Sequence, residues 1–193
     1  GVAGDVDPHP AQVALRVVER GGHAPPDEAA KGGEREQQRA FQAGREHEAE
    51  MADQLAAAGG WQDSALLIDC HSMPSAAIAR SESFQCDVVI GDRYGTSADP
   101  EIPDLIESIL RAMGLSVARN RPYAGGFITE HYGSPRSGIH AVQIEINRGL
   151  YMDERKFERL RDFDRLKHNL TRLAEELVAY ATHFEWPNQL AAE

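Results

Sequence analysis

A short apolar run that leads directly into reactive polar side chains constrains this chain more than any other segment. Residues 66–68 are Leu-Leu-Ile, and Asp69, Cys70, His71 and Ser72 follow without a break. A short apolar run next to polar residues predicts a buried strand. The ends of strands are where α/β enzymes hold catalytic groups rigidly, which makes Asp69 and His71 candidate site residues.

Strand-like and helix-like segments alternate along the chain. We predict strands at 65–69, 87–90, 116–118 and 140–147, helices at 34–58, 104–113 and from 153 to about 187, and a loop over 120–139. Residues 13–18 fit either a strand or a helical turn, within a poorly patterned stretch at 1–33. This alternation predicts an α/β three-layer αβα sandwich. The 193 residues are enough for a single domain, which we expect to span 1–193.

Charge and cysteine usage narrow the functional classes. The net charge of −11 argues against unassisted binding to nucleic acid or to an anionic membrane surface. No apolar run reaches the roughly 18–20 residues of a membrane span. A small anionic substrate remains compatible with this charge, because local arginines can bind it. The two cysteines, Cys70 and Cys86, adjoin apolar residues and predict reduced, buried thiols in a cytoplasmic protein.

Asp69 and His71 are two residues apart, so on a strand their side chains share one face. A carboxylate beside an imidazole can fix its tautomer and raise its basicity, as is common around zinc. The alternative is a hydrogen-bonded structural histidine. The spacing leaves open whether Asp69 contacts His71 or supports a neighbouring loop.

The strand at 140–147 alternates between apolar and polar residues. Positions 142, 144 and 146 are apolar, whereas Gln143, Glu145 and Asn147 share the other face. One alternative is an edge strand with one solvated face. The other is a strand that lines a cleft, where partial loss of water raises the pKa of a carboxyl group and suits Glu145 to act as a general base.

A glycine-rich loop between these two strands carries several polar side chains. Gly125-Gly126 allows close approach of the backbone to a ligand, and the loop has neither spacing of a phosphate loop. Asn120, Tyr123 and His131 are of the types that orient a small polar substrate. The alternative is a surface loop with polar decoration.

Arg93 follows another predicted strand end, in Gly91-Asp92-Arg93-Tyr94-Gly95. Its guanidinium group has the shape to bind a substrate carboxylate through two hydrogen bonds. It fits equally well as an ion-pair partner of Asp92 or Asp99.

Five blocks of this chain, in this order and spacing, resemble the N-formylglutamate amidohydrolase family. They are Asp69-Cys70-His71-Ser72-Met73-Pro74, Gly91-Asp92-Arg93-Tyr94-Gly95, Asn120-x-Pro122-Tyr123-x-Gly125-Gly126, Glu130-His131-Tyr132-Gly133 and the segment from His140 to Glu154. The resemblance covers about residues 65–155. It implies a fold similar to that of zinc carboxypeptidases and aspartoacylases, with a mixed sheet between helices and zinc at the strand ends.

The resemblance also implies roles for individual residues. His71 would be a zinc ligand, Glu145 the general base, Arg93 and Arg148 the groups that hold the two carboxylates, and Asn120 and Tyr123 the groups that orient the amide. Zinc would polarise the formamide carbonyl and lower the pKa of water. The implied reaction converts N-formyl-L-glutamate and water to formate and glutamate, as in histidine degradation.

This chain departs from the family upstream of the first block. Family members carry a Ser-Pro-His-Ser-Gly-like segment and a later acidic residue that resemble two further zinc ligands, and the surroundings of His9, His23 and His47 match neither. We therefore expect the chain to lack the family's N-terminal portion. Two alternatives stay open: a non-catalytic homologue that binds acyl-amino acids, and a related hydrolase of other N-acyl amino acids.

Overall fold

A computed structural model describes residues 12–17, 65–78 and 86–183, with backbone alone at 12–17, 77–78 and 183. These residues all belong to one compact unit. The helix predicted at 34–58 lies outside them, and the prediction of a single domain over 1–193 stays a prediction. None of the described helices has both the length and the apolar character needed to span a bilayer.

The described elements alternate between strands and helices, as the sequence predicts. In chain order they are β1 (Gln12–Val17), β2 (Ala65–Met73), α1 (Ser75–Ile78), β3 (Val88–Gly91), α2 (Glu101–Ala112), β4 (Val117–Arg119), α3 (Phe127–Tyr132), β5 (Ile139–Asn147), β6 (Met152–Asp153), β7 (Glu158–Arg159) and α4 (Phe163–His183). Single 3₁₀ turns occupy Pro135–Ser137 and Arg148–Leu150. The ambiguous segment at 13–18 therefore forms a strand, β1.

Five strands form one mixed sheet in the order β1-β2-β5-β3-β4. β1, β2 and β5 are parallel to one another, whereas β3 runs antiparallel to β5 and parallel to β4. β5 thus lies at the centre of the sheet, so the edge-strand alternative for 140–147 is wrong. The mixed α/β fold implied by the resemblance is confirmed.

One face of the sheet forms the apolar core together with α2 and α4. Alternate residues of the three central strands lie on this face and are buried: Leu66, Ile68, Val88, Ile90, Val142 and Ile144. α2 contributes Ile102, Ile106 and Leu110, which recur every four residues and therefore line one side of the helix. α4 contributes Leu166, Leu173 and Leu177 in the same way. The third layer of the predicted sandwich stays a prediction.

The C-terminal helix begins ten residues later than the sequence predicts. Residues 152–159 instead form the short antiparallel pair of β6 and β7. The Asp153 carboxylate accepts hydrogen bonds from the backbone N–H groups of Arg155 and Lys156, which lowers its pKa and supports a turn in place of a helix. Phe157 and Leu160, which fit the helical spacing, are exposed. The prediction of a helix from 153 is wrong for this reason.

The loop predicted at 120–139 contains regular structure. α3 and the 3₁₀ turn at Pro135–Ser137 lie within it, and Ile128 and Thr129 of α3 are buried. The Thr129 hydroxyl donates to the carbonyl oxygen of Gly126, at the residue before the helix. Gly125 and Gly138 have positive φ angles of 115° and 75°, which explains why the segment is rich in glycine.

Candidate active site

A row of polar side chains occupies the face of the sheet opposite the apolar core. Asp69 and Gln143 are register partners on β2 and β5, and His71 and Glu145 are the next pair on the same face. Asp69, Gln143 and Glu145 are at most 4% exposed, and the side chain of His71 is 10% exposed. The alternative of a solvated strand face is therefore wrong. We call these four residues the polar row.

Asp69 contacts His71 directly. The distance from Asp69 Oδ2 to His71 Nε2 is 2.8 Å, so the carboxylate holds the imidazole in place through this nitrogen. A carboxylate accepts hydrogen bonds only, which makes Nε2 the protonated nitrogen and leaves Nδ1 with its lone pair available. Nδ1 is buried and has no hydrogen-bond partner among the described residues. The question left open by the spacing is thus answered in favour of contact.

This arrangement fits one ligand position of a zinc site. A histidine that binds a metal through one nitrogen commonly donates its other N–H to a carboxylate, as His71 does to Asp69. Zinc sites use three or four protein ligands. The described residues contain no group of three His, Cys, Asp or Glu side chains that would hold a metal. They supply one suitable nitrogen, and the remaining ligands would have to come from outside the described ranges.

Glu145 is held by its neighbour on the same strand. Gln143 Nε2 donates to Glu145 Oε1 at 2.8 Å, and both side chains are buried. Across β5, Glu145 lies between His71 on β2 and Val89 on β3. The sequence placed Gln143 on the face of Glu145, but its contact with the carboxylate was missed. The alternating pattern at 142–147 was the signal that pointed to it.

The glycine-rich loop crosses this face of the sheet beside Gln143. Gly91 is the register partner of Gln143 on β3, and a Cβ atom there would lie 2.5 Å from the Gly125 nitrogen. A Cβ atom on Gly126 would lie 3.0 Å from Gln143 Oε1. The backbone therefore approaches another backbone and a buried carboxamide, where the sequence suggested approach to a ligand.

Arg93 pairs with a residue that the sequence did not single out. Its Nη2 lies 3.0 Å from Glu130 Oε1 on α3, and neither Asp92 nor Asp99 is its partner in the described contacts. The Arg93 side chain packs against Gly125 at 3.2 Å, which places it over the glycine-rich loop. The guanidinium group is partly exposed, so it remains reachable for an anion.

Asn120 holds the loop that follows β3. Its Nδ2 donates to Asp92 Oδ1 at 2.6 Å, and its Oδ1 accepts from the backbone N–H groups of Asp92 and Tyr94. Arg93, Tyr94 and Asn120 all have φ angles near 55°, a conformation that side chains other than glycine rarely adopt. In this structure Asn120 therefore supports the backbone that presents Arg93.

The remaining predicted site residues lie in separate surroundings. The ring of Tyr123 packs against the small cluster of Met73, Cys86 and Val89. His131 is exposed on α3 and stacks on Phe127 with 4.9 Å between ring centroids. Arg148 follows the C-terminal end of β5 and donates to the hydroxyl and the carbonyl oxygen of Ser72 at 3.1 and 3.2 Å.

The two arginines leave the sheet at opposite edges. Because β3 is antiparallel to β5, Arg93 lies where β5 begins and Arg148 lies where β5 ends. The polar row lies between them. The structure thus brings Asp69, His71 and Glu145 together and keeps Arg93 and Arg148 apart.

Neither cysteine adds a nucleophile to this face. Cys70 lies between Asp69 and His71 in sequence but belongs to the opposite face of β2, against the apolar core. Burial, and next the charge of Asp69, raise its pKa to about 12, so the thiol stays protonated near neutral pH. Cys86 is buried, Cys70 is partly buried and both are free thiols, as the sequence predicts.

The polar row has close counterparts in known proteins. The family model of N-formylglutamate amidohydrolase matches residues 5–152, more than half of the chain. This chain belongs to the N-formylglutamate amidohydrolase family. The match includes every residue of the polar row and both arginines at the sheet edges.

Three relatives within the N-formylglutamate amidohydrolase family show the extent of the likeness. The chain is 36% identical over 105 residues to the N-formylglutamate deformylase of Pseudomonas aeruginosa, which covers 54% of this chain and 40% of that protein. It is 37% identical over 91 residues to the N-formylglutamate deformylase of Pseudomonas putida, which covers 47% of this chain and 34% of that protein. The chain thus spans well under half the length of these two relatives.

A solved structure supports the same family. The crystal structure of N-formylglutamate amidohydrolase from Ralstonia eutropha JMP134 superposes with a TM-score of 0.67 and 35% sequence identity. The superposition covers 71% of this chain and 50% of that one. The mixed sheet that carries the polar row is therefore an architecture of this family.

Proposed function

We propose that this chain hydrolyses the formamide bond of N-formyl-L-glutamate to give formate and glutamate. The observation that carries the proposal is the pairing of His71 with Glu145 on one buried face of the sheet, in a chain of this family. The names of the three relatives support the choice of substrate.

Glu145 is proposed as the general base. A base must lie within hydrogen-bond reach of the proton that it accepts, and a buried carboxylate held by one neighbour is ready to do so. It takes a proton from water as the water oxygen attacks the formyl carbon. It then returns the proton to the nitrogen of glutamate as the C–N bond breaks, so that formate and the free amine leave.

Zinc is proposed as the cofactor, with His71 Nδ1 as one of its ligands. The unpartnered buried nitrogen and the Asp69 carboxylate behind the imidazole support this assignment. When bound, zinc supplies a Lewis acid for the formamide carbonyl and for water. Asp69 keeps the imidazole in the tautomer that leaves Nδ1 available.

Arg93 and Arg148 are proposed to bind the carboxylates of the substrate, one at each edge of the sheet. Arg93 is paired with Glu130, which is itself largely exposed, and a substrate carboxylate would compete with this exposed partner. Exposed ion pairs contribute little free energy, so the exchange costs little. Asn120, Tyr123 and His131 are proposed to orient the remainder of the substrate from the glycine-rich loop.

We also propose the three-layer arrangement of zinc carboxypeptidases for the fold and the cytoplasm for the location. The mixed sheet with its reactive groups near the C-terminal ends of β2 and β5 supports the first. The two free thiols support the second.

The test is release of formate from N-formyl-L-glutamate by the purified chain, with zinc supplied and zinc content measured on the same sample. Formate should appear in proportion to the enzyme and disappear on chelation. N-acetyl-L-glutamate and N-formyl-L-leucine serve as matched substrates that vary the acyl group and the side-chain carboxylate. Faster turnover of either one would assign a related hydrolase, and binding of substrate without zinc uptake or turnover would assign a non-catalytic homologue.

A further inference from the structure

We propose that Gln143 is the positioning residue for Glu145, because its carboxamide N–H holds one oxygen of the carboxylate in place. The assignment of Glu145 as the base rests on the proposed function. The contact between the two side chains is an observation of the structure by itself.

The geometry of the contact favours a strong and directional hydrogen bond. Gln143 Nε2 and Glu145 Oε1 are 2.8 Å apart, on residues two positions apart on the same face of β5. Both residues are at most 4% exposed, so water competes little for either group. Hydrogen bonds to an ionised carboxylate are also stronger than bonds between neutral groups.

The carboxylate determines which way the carboxamide of Gln143 points. An ionised carboxylate only accepts hydrogen bonds, so the NH₂ end of the carboxamide faces Glu145 and the carbonyl end faces away. The carbonyl oxygen of Gln143 is buried and has no hydrogen-bond partner in the described part of the chain. The side chain is thus oriented for its donor, with its acceptor left unsatisfied.

The glycine-rich loop limits movement of the carboxamide. The Gly126 backbone lies so close that a Cβ atom there would be 3.0 Å from Gln143 Oε1. Gly91, the register partner of Gln143, has the backbone of Ala124 and Gly125 directly above it. The loop therefore restricts rotation of Gln143, and Gln143 in turn restricts rotation of Glu145.

A fixed carboxylate matters for a general base. Its acceptor lone pair must point at the proton of the attacking water, and small errors of position lower rates strongly. Fixing Oε1 through Gln143 fixes the plane of the carboxylate. Loss of this contact should lower kcat and leave substrate binding largely unchanged.

The experiment is a double-mutant cycle of Gln143→Met and Glu145→Gln. Methionine has nearly the shape of glutamine and lacks the N–H donor. We expect Gln143→Met alone to lower kcat by about 10- to 100-fold, with KM within about threefold of the original value. In the Glu145→Gln background the same change should lower the residual rate by less than about twofold, because the base is already lost.

Ile144→Met is the matched control. It places the same side chain on the next residue of β5, on the opposite face within the apolar core. It should lower the melting temperature and leave kcat within about twofold. Equal losses of kcat in Gln143→Met and Ile144→Met, or a full additive loss in the Glu145→Gln background, would assign Gln143 a structural role and overturn the inference.

A spectroscopic measurement separates this inference from the proposed function. In ¹⁵N-labelled protein, one side-chain carboxamide proton of Gln143 should be shifted downfield, and Glu145→Ala should return it to the ordinary range. The Gln143→Met variant identifies the resonance by its loss. A chain with this shift and no formate release would contradict the proposed function alone, whereas formate release without the shift would contradict the positioning role. Where the residual rate of Glu145→Gln is too low for the cycle, this resonance decides.

Discussion

His71 and Glu145 are register partners in the adjacent parallel strands β2 and β5, with their side chains on the same face of the sheet. They come from segments more than seventy residues apart in the chain. The pairing joins a histidine with an available buried nitrogen to a carboxylate held by Gln143. This one relationship is what an enzyme with a general base beside a metal ligand requires, and four predictions follow from its surroundings.

Glu145→Gln should abolish most of the turnover while the fold is retained. The change keeps the shape of the side chain and removes its ability to accept a proton, so kcat should fall by about 10²- to 10⁴-fold. Formate release from N-formyl-L-glutamate measures the loss, and circular dichroism checks the fold. Glu158→Gln, an exposed residue of β7, is the control and should keep its activity. A rate near that of the parent chain in Glu145→Gln would remove Glu145 from the mechanism.

His71→Ala should lower the zinc content of the purified protein. The substitution removes the available Nδ1 and leaves Asp69 without its hydrogen-bonded partner. Loss of one ligand weakens a site that needs three or four. Elemental analysis of the variant and of His168→Ala, an exposed histidine on α4, gives the comparison. Equal zinc in both variants and the parent would make His71 a structural residue.

The stability of the chain should fall between pH 6.5 and pH 4 because of His140. Burial lowers the pKa of this imidazole from 6.5 to about 4, and its Nδ1 accepts the backbone N–H of Asp99 at 2.9 Å. In this pH window the unfolded chain binds a proton at His140 that the folded chain does not bind. The free energy of unfolding therefore decreases as the pH falls, by up to about 3 kcal/mol from this residue.

His140→Asn isolates this contribution. The Oδ1 atom of asparagine can replace Nδ1 as the acceptor and does not bind a proton in this range. Denaturant unfolding at pH 7.0, 5.5 and 4.5 should show a shallower loss of stability in the variant than in the parent chain. Parallel loss in the two proteins would show that other groups cause the acid sensitivity.

Gly91→Ala should destabilise the fold and displace the glycine-rich loop. Its Cβ atom would lie 2.5 Å from the Gly125 nitrogen and 2.7 Å from the Ala124 carbonyl carbon, which are backbone atoms that cannot rotate away. Overpacking of this kind costs about 1–3 kcal/mol, measured here by denaturant unfolding. The activity should fall as well, because the loop restricts Gln143.

Gly114→Ala provides the comparison for Gly91. Gly114 has a φ angle of 83° and open space around its Cα atom, so alanine there adds backbone strain without a clash. This variant should lose stability and keep its kcat. Unchanged stability and activity in Gly91→Ala would mean that the loop does not press on Gly91 in solution.

Much of the local structure was predictable because it depends on short-range periodicity. The alternation at 142–147 placed Gln143 and Glu145 on one face, and the two-residue spacing of Asp69 and His71 placed them on one face of β2. Both follow from the alternation of side chains along an extended backbone. The helix predicted from 153 failed because the Asp153 side chain binds two backbone N–H groups and supports a turn.

By itself the sequence determined which residues carry the chemistry and which face of its own strand each one occupies, because those depend on neighbours in the chain. Only the tertiary structure decided that β5 lies at the centre beside β2, that Gln143 holds Glu145, and that Arg93 and Arg148 leave the sheet at opposite edges. The order and direction of strands depend on packing between segments far apart in the chain. The spacing of residues within one segment carries no record of that packing.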